Sequence, residues 1–120
     1  MDPRHQKRVE VFQDLFACTF TQQKLDQSLA DPKCQIIELL QALPQLDQEI
    51  QLVALERSLA DINKVDLAIL RLIMFQSKQT KTPKKVLVDE GIELAKQFGS
   101  ENSSRFVNGA LAKLLLESQK

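Results

Sequence analysis

Two short stretches of this chain hold residue types suited to binding a polyanion. Near the start, Arg4, His5, Lys7 and Arg8 stand within five positions of one another; near the end, Asn102, Ser103, Ser104, Arg105 and Phe106 follow without a break. Lysine and arginine neutralise phosphates, with an affinity that falls steeply as salt rises. Amides and hydroxyls at the start of a helix suit phosphates and base edges. A phenylalanine beside an arginine can stack an unpaired base, a contact worth about 1–3 kcal/mol. Phe106 also has a plainer reading. A single aromatic at helical spacing is an ordinary core residue, and the polar run before it is then only a cap.

Catalytic chemistry finds less support. The one histidine, His5, lies in a basic N-terminal stretch of the kind that frays. Asp89, Glu90 and Glu93 cluster just after four lysines, and they read as a solvated helix face with dipole and ion pairing. The sequence holds no G-x-S-x-G, no glycine-rich phosphate loop and no H-E-x-x-H. Nothing matches a nucleophile, base and orienter, so no enzyme activity is expected. Cys18 and Cys34 form no C-x-x-C pair and have no histidine nearby. No zinc site, redox motif or cofactor is therefore expected. The start of the chain lacks the apolar run of a secretory signal, and no stretch reaches the roughly 20 apolar residues of a membrane span. A reducing, cytoplasmic setting is expected.

The formal net charge is zero, but the charge is unevenly spread. Asp26 to Asp66 holds eight acids against Lys33, Arg57 and Lys64, whereas Arg71, Lys78, Lys81, Lys84 and Lys85 follow with no acid among them. This pattern is either an unevenly charged solvated surface or a basic end opposed to an acidic one.

The elements that must position these groups are all helical. At 120 residues the chain is expected to form one domain, residues 1–120. Val9, Phe12, Leu15, Phe16 and Phe20 mark a helical stripe over 3–20. Asp31-Pro32 reads as a cap and first helical residue for a short helix through Leu43, with Pro44 starting another. Ile62, Val65, Ile69, Leu72, Ile73 and Phe75 predict a thoroughly buried helix. Gln76 to Thr82 reads as a polar loop, and Thr82-Pro83 as the start of a helix that stops at Gly99. Ser100 or Asn102 can cap the last helix. Gly91 and Gly109 interrupt helical patterns at a cost of about 1 kcal/mol each, which implies close approach of another helix or of a ligand backbone. The expected fold is all-α, a compact bundle of about six or seven short helices.

The C-terminal half is more specific. V-D-L-A-I-L-R-L from Val65, P-x-x-V-x-V-D-E-x-I-E-L-A-K-x-F-G from Pro83 and R-F-V-N-G-A-L from Arg105 together resemble the NusB family. The opening R-H-Q-K-R-V-E-V-F-Q-D-L-F from Arg4 resembles that family's basic start. The likeness is clear over 61–115, fair over 4–20 and slight over 21–45, where this chain is shortened.

The resemblance implies two small helical subdomains packed together. It further implies a transcription antitermination factor that binds boxA-type single-stranded RNA with the small-subunit ribosomal protein acting as NusE. Such a pair joins the RNA polymerase antitermination complex and promotes read-through in ribosomal RNA operons. Carried over by position, Arg4, Lys7, Arg8, Asn102, Arg105 and Phe106 become RNA contacts, and Phe16 and Asp66 contacts to the ribosomal protein. Arg71 matches a family arginine that serves either RNA or an internal ion pair. Phe16 replaces a common tyrosine, Gln76 a frequent glutamate, Gly91 a usual alanine and Ala112 a frequent aspartate. Two other readings stay open: a stand-alone module for ribosomal RNA binding or assembly, as in the NusB-like part of some RNA cytosine methyltransferases, and a helical scaffold that binds protein without RNA. A monomer and a homodimer are both compatible with the sequence.

Overall fold

The computed structural model describes residues 3–20, 34–53 and 58–117. Five α-helices occupy most of these residues: α1 (Pro3–Phe20), α2 (Cys34–Val53), α3 (Lys64–Gln79), α4 (Lys84–Phe98) and α5 (Ser103–Leu111). A 3-10 turn, Leu59–Asp61, precedes α3, and a π-helical turn, Ala112–Glu117, continues α5. There is no strand among the described residues.

Helix α3 is the central element. Asn63 caps it by accepting from the N–H groups of Val65 at 2.9 Å and Asp66 at 3.3 Å. All its residues from Asp66 to Phe75 are buried, as a helix with apolar residues on several sides requires. Two sets of three helices share it: α1 and α2 pack on α3 and on each other, and so do α4 and α5. One continuous cluster of buried side chains joins the sets, including Phe12, Leu15, Leu39, Ile50, Ile69, Ile73, Leu94 and Leu111.

Among the described residues there are five α-helices, against the expected six or seven. Pro44 does not begin a helix but lies inside α2. A proline there loses one backbone hydrogen bond and crowds the carbonyl four residues earlier. Leu39, Leu46 and Ile50 nonetheless fall on one buried face that spans the proline, so tertiary burial carries the helix through it. The chain also stays helical to Gln79, past the start of the expected Gln76–Thr82 loop, and Thr80 closes α3 with its N–H on the Gln76 carbonyl. The expected cap at Asp31-Pro32 lies outside the described residues.

The glycines divide. A Cβ on Gly91 would stand 2.5 Å from Leu111 Cδ1 and 3.4 Å from side-chain atoms of Ile73 and Val107, so α3 and α5 approach α4 closely there. Gly109 has nothing within 4 Å of where its Cβ would be, and close approach does not account for it. Gly99 ends α4 in extended backbone, where a Cβ would collide with Ser103 and the Ala95 carbonyl.

Candidate nucleic-acid interface

At the opening of α1 the basic residues split between solvent and interior. Arg4 and Lys7 are exposed, whereas Arg8 is buried and His5 half-buried. Arg8 Nε donates to Gln76 Oε1 on α3 at 2.8 Å, and its guanidinium lies 3.6 Å from Glu90 Oε2 on α4. His5 Nδ1 meets the same Glu90 oxygen at 2.6 Å, and its Nε2 lies 3.3 Å from Gln97 Oε1. The Glu90 hydrogen bond raises the His5 pKa above the usual imidazole value; burial opposes the shift without cancelling it.

Sequence reading missed this cluster. Glu90 is not part of a solvated acidic face: Asp89 and Glu93 are exposed, but Glu90 turns inward and joins α1 to α4. His5 is held by two side chains of α4 rather than left in a fraying end. The signal was the period. Positions 5, 8, 12 and 15 form one helical stripe, and Phe12 and Leu15 on it are core.

The opening of α5 is built differently. Asn102 occupies the N-cap position but makes no side-chain capping bond. Ser103 is buried, and its Oγ accepts the Ser100 N–H at 2.9 Å, which fixes the connection from α4. Asn102 and Arg105 are exposed. Phe106 is half-buried against the core, so its ring serves packing while keeping one side in solvent.

Helix α4 relates the two openings. His5 reaches Gln97, in its last turn, and Phe12 packs on Phe98 with ring centroids 4.9 Å apart. The connection 99–102 leads directly from that end of α4 into α5. Both helix openings therefore adjoin the C-terminal half of α4.

Three further sequence-marked residues lie elsewhere. Arg71 forms an internal ion pair: Nε and one terminal nitrogen donate to the two Asp47 oxygens at 2.8 and 2.9 Å. This two-point geometry makes Asp47 the internal partner that the sequence left open for Arg71. Phe16 is half-buried, 6.2 Å from Phe12 by ring centroid. Asp66 is 4% exposed, in the first turn of α3, where a carboxylate complements the helix dipole. A shallow groove lined by Pro44, Gln48, Gln51 and Leu59 includes Asp47, but Arg71 already engages that acid. Among the described residues no group of three or more histidine, cysteine or acidic side chains could hold a metal ion. No described helix is long and apolar enough to cross a membrane.

Such an arrangement defines a small all-helical domain with two triplets of helices on a shared central one. The chain belongs to the NusB family, whose sequence profile matches residues 5–115. It is 36% identical over 125 residues to the transcription antitermination protein NusB of Chloroflexus aggregans, covering 90% of this chain and 83% of that protein. It is 48% identical over 69 residues to the protein of the same name from Roseiflexus castenholzii, covering 55% of this chain and 49% of that one. The match to the Roseiflexus protein thus spans about half of that relative's length. The solved structure of T. maritima NusB superposes with a TM-score of 0.82 at 30% identity, covering 94% of this chain and 90% of that chain.

Proposed function

We propose that this protein is a transcription antitermination factor that binds boxA-type single-stranded RNA together with the small-subunit ribosomal protein acting as NusE. In this reading it works in the cytoplasm, within the RNA polymerase antitermination complex on ribosomal RNA operons. Membership of the NusB family supports the role, and relatives that share its sequence carry the antitermination name.

The observation that carries the RNA part is the common position of the two helix openings beside the C-terminal half of α4. Arg4, Lys7 and Arg105 offer exposed cations for phosphates. Asn102, with no capping bond, offers an amide for a base edge, and the half-exposed Phe106 ring offers a stacking face. Arg8 contributes from beneath: it is 8% exposed and holds the opening turn of α1 in place. For the protein partner, Phe16 supplies half-exposed aromatic surface, and buried Asp66 supports the start of α3. A partner with its own RNA contacts makes the pair bind more tightly than either protein alone.

The test is a titration of boxA-type RNA with and without the ribosomal protein. Synergy between the two proteins is expected, with affinity falling as salt rises. No RNA binding at low salt would instead favour a protein-only scaffold and overturn the RNA reading.

A further inference from the structure

We propose that Glu90 is a positioning residue for the RNA face: through His5 and Arg8 it fixes the opening turn of α1, and a proton on His5 strengthens both that hold and RNA binding. The inference rests on the RNA-binding reading above and adds to it a residue and a proton linkage. Its basis is the geometry around the imidazole. Both ring nitrogens face side-chain oxygens, Nδ1 that of Glu90 at 2.6 Å and Nε2 that of Gln97 at 3.3 Å. A neutral imidazole has one N–H and can donate to only one of them; the imidazolium donates to both. The site as built therefore suits the charged ring.

The charges around His5 act on its proton in both directions, and the acidic ones lie on α4. Helix α4 presents Glu90 and, farther out, Glu93, both of which favour the proton. From α1 itself, the Arg8 guanidinium shares the Glu90 carboxylate, and Gln76 of α3 anchors Arg8 from the other side. The neighbouring Arg4 and Lys7 are exposed at the same helix opening. RNA phosphates drawn to Arg4 and Lys7 would bring negative charge close to His5 and favour its proton, so binding takes up protons at His5 and weakens as pH rises.

His5 is the chain's single histidine, so its ring signals in an NMR titration need no assignment by elimination. The experiment follows those signals with pH in the free wild-type protein and in Glu90→Gln, which keeps the shape of the acceptor and removes its charge. In parallel, the affinity for a boxA-type single-stranded RNA oligonucleotide is measured from about pH 6 to pH 8 at constant salt in wild type, Glu90→Gln and His5→Gln. Circular dichroism checks that each variant stays folded. The midpoint of His5 is expected to fall in Glu90→Gln. Wild-type affinity is expected to drop about fivefold across the pH range, less than the tenfold reached when RNA makes the imidazole ten times more basic. His5→Gln is expected to show a flat profile. A merely structural Glu90 would alter melting while leaving the pH profile of RNA affinity as in wild type, and that result overturns the proposal. An unchanged His5 midpoint in Glu90→Gln overturns it too. Absence of RNA binding by the wild type at every pH would remove the proposed function and the RNA linkage with it, while the free-protein titration still decides whether Glu90 holds His5.

Discussion

At the opening of α1, a buried guanidinium and a half-buried imidazole converge on one carboxylate of α4. At the opening of α5, Arg105 and Asn102 stand in solvent, and the buried polar group there, Ser103, closes a bond to its own connection. The residue types are similar, but their duties differ. In α1 the polar groups are part of what holds the helices together, so changing them alters the fold as well as the surface. In α5 the packing is done by Val107 and Leu111, which are fully buried, and the exposed groups can change without cost to the core. A stability effect paired with a binding effect is therefore the mark of the α1 opening, and a binding effect alone the mark of the α5 opening.

The largest test of that contrast is Arg8→Ala. It strips the partner from Gln76 and takes the guanidinium away from Glu90. Losing a hydrogen bond made by a buried charge costs about 2–3 kcal/mol. The 3.6 Å separation from Glu90 and that residue's partial exposure keep the loss below the figure for a fully buried pair. Urea unfolding should show this loss, while Arg105→Ala should stay within about 0.5 kcal/mol of wild type. Equal stability of the two variants would erase the distinction between the openings.

The next effect is on binding. Arg105→Ala removes one phosphate contact, so the slope of log affinity against log salt should fall by about 0.7 for a single strand, with melting unchanged. If the salt slope of Arg105→Ala matches wild type, the α5 opening is not an RNA contact.

How far sequence reading reached follows from the same contrast. Periodicity found α1, α3 and α4 because their apolar positions repeat every three to four residues and burial follows that repeat. It stopped at Pro44 because local preference says break, whereas the faces of Leu39, Leu46 and Ile50 say continue. At the site, residue type identified cations at both openings but gave no depth. Arg8 and Arg105 look alike in a string of letters, and only the stripe through 5, 8, 12 and 15 sets Arg8 on the core side. Glu90 was harder still, because what makes it special is a partner 85 positions away. Pairings across that distance leave no local period.

A smaller effect separates stability from contact within α5 itself. Gly109 is exposed, lies inside the helix and has open space where a Cβ would sit. Gly109→Ala should therefore stabilise the protein by about 0.5–1 kcal/mol, the usual gain from replacing glycine in a helix interior. Thermal melting reads the gain. RNA affinity should stay at the wild-type value, because the opening turn of α5 is untouched. Weaker RNA binding in this variant would mean that RNA runs along α5 beyond its first turn.

The smallest expected effect is the pH dependence of stability, which belongs to α1 alone. His5 has its pKa raised in the folded protein, chiefly by the Glu90 hydrogen bond. A raised folded value means that folding favours the protonated ring. The stabilisation is then complete below about 6.5, the ordinary imidazole value, and is lost as pH rises through the folded value. Melting temperature should accordingly decline gently as pH climbs above about 6.5, and His5→Gln should remove the decline. The slope is gentle because both partners keep some solvent access, with side chains 13% and 18% exposed, and water screens such a pair. Asn102→Ala and Arg105→Ala should leave the slope as it is, since neither opening residue of α5 touches the imidazole. A decline that survives His5→Gln would move the titrating group elsewhere and leave the two openings alike in their response to protons.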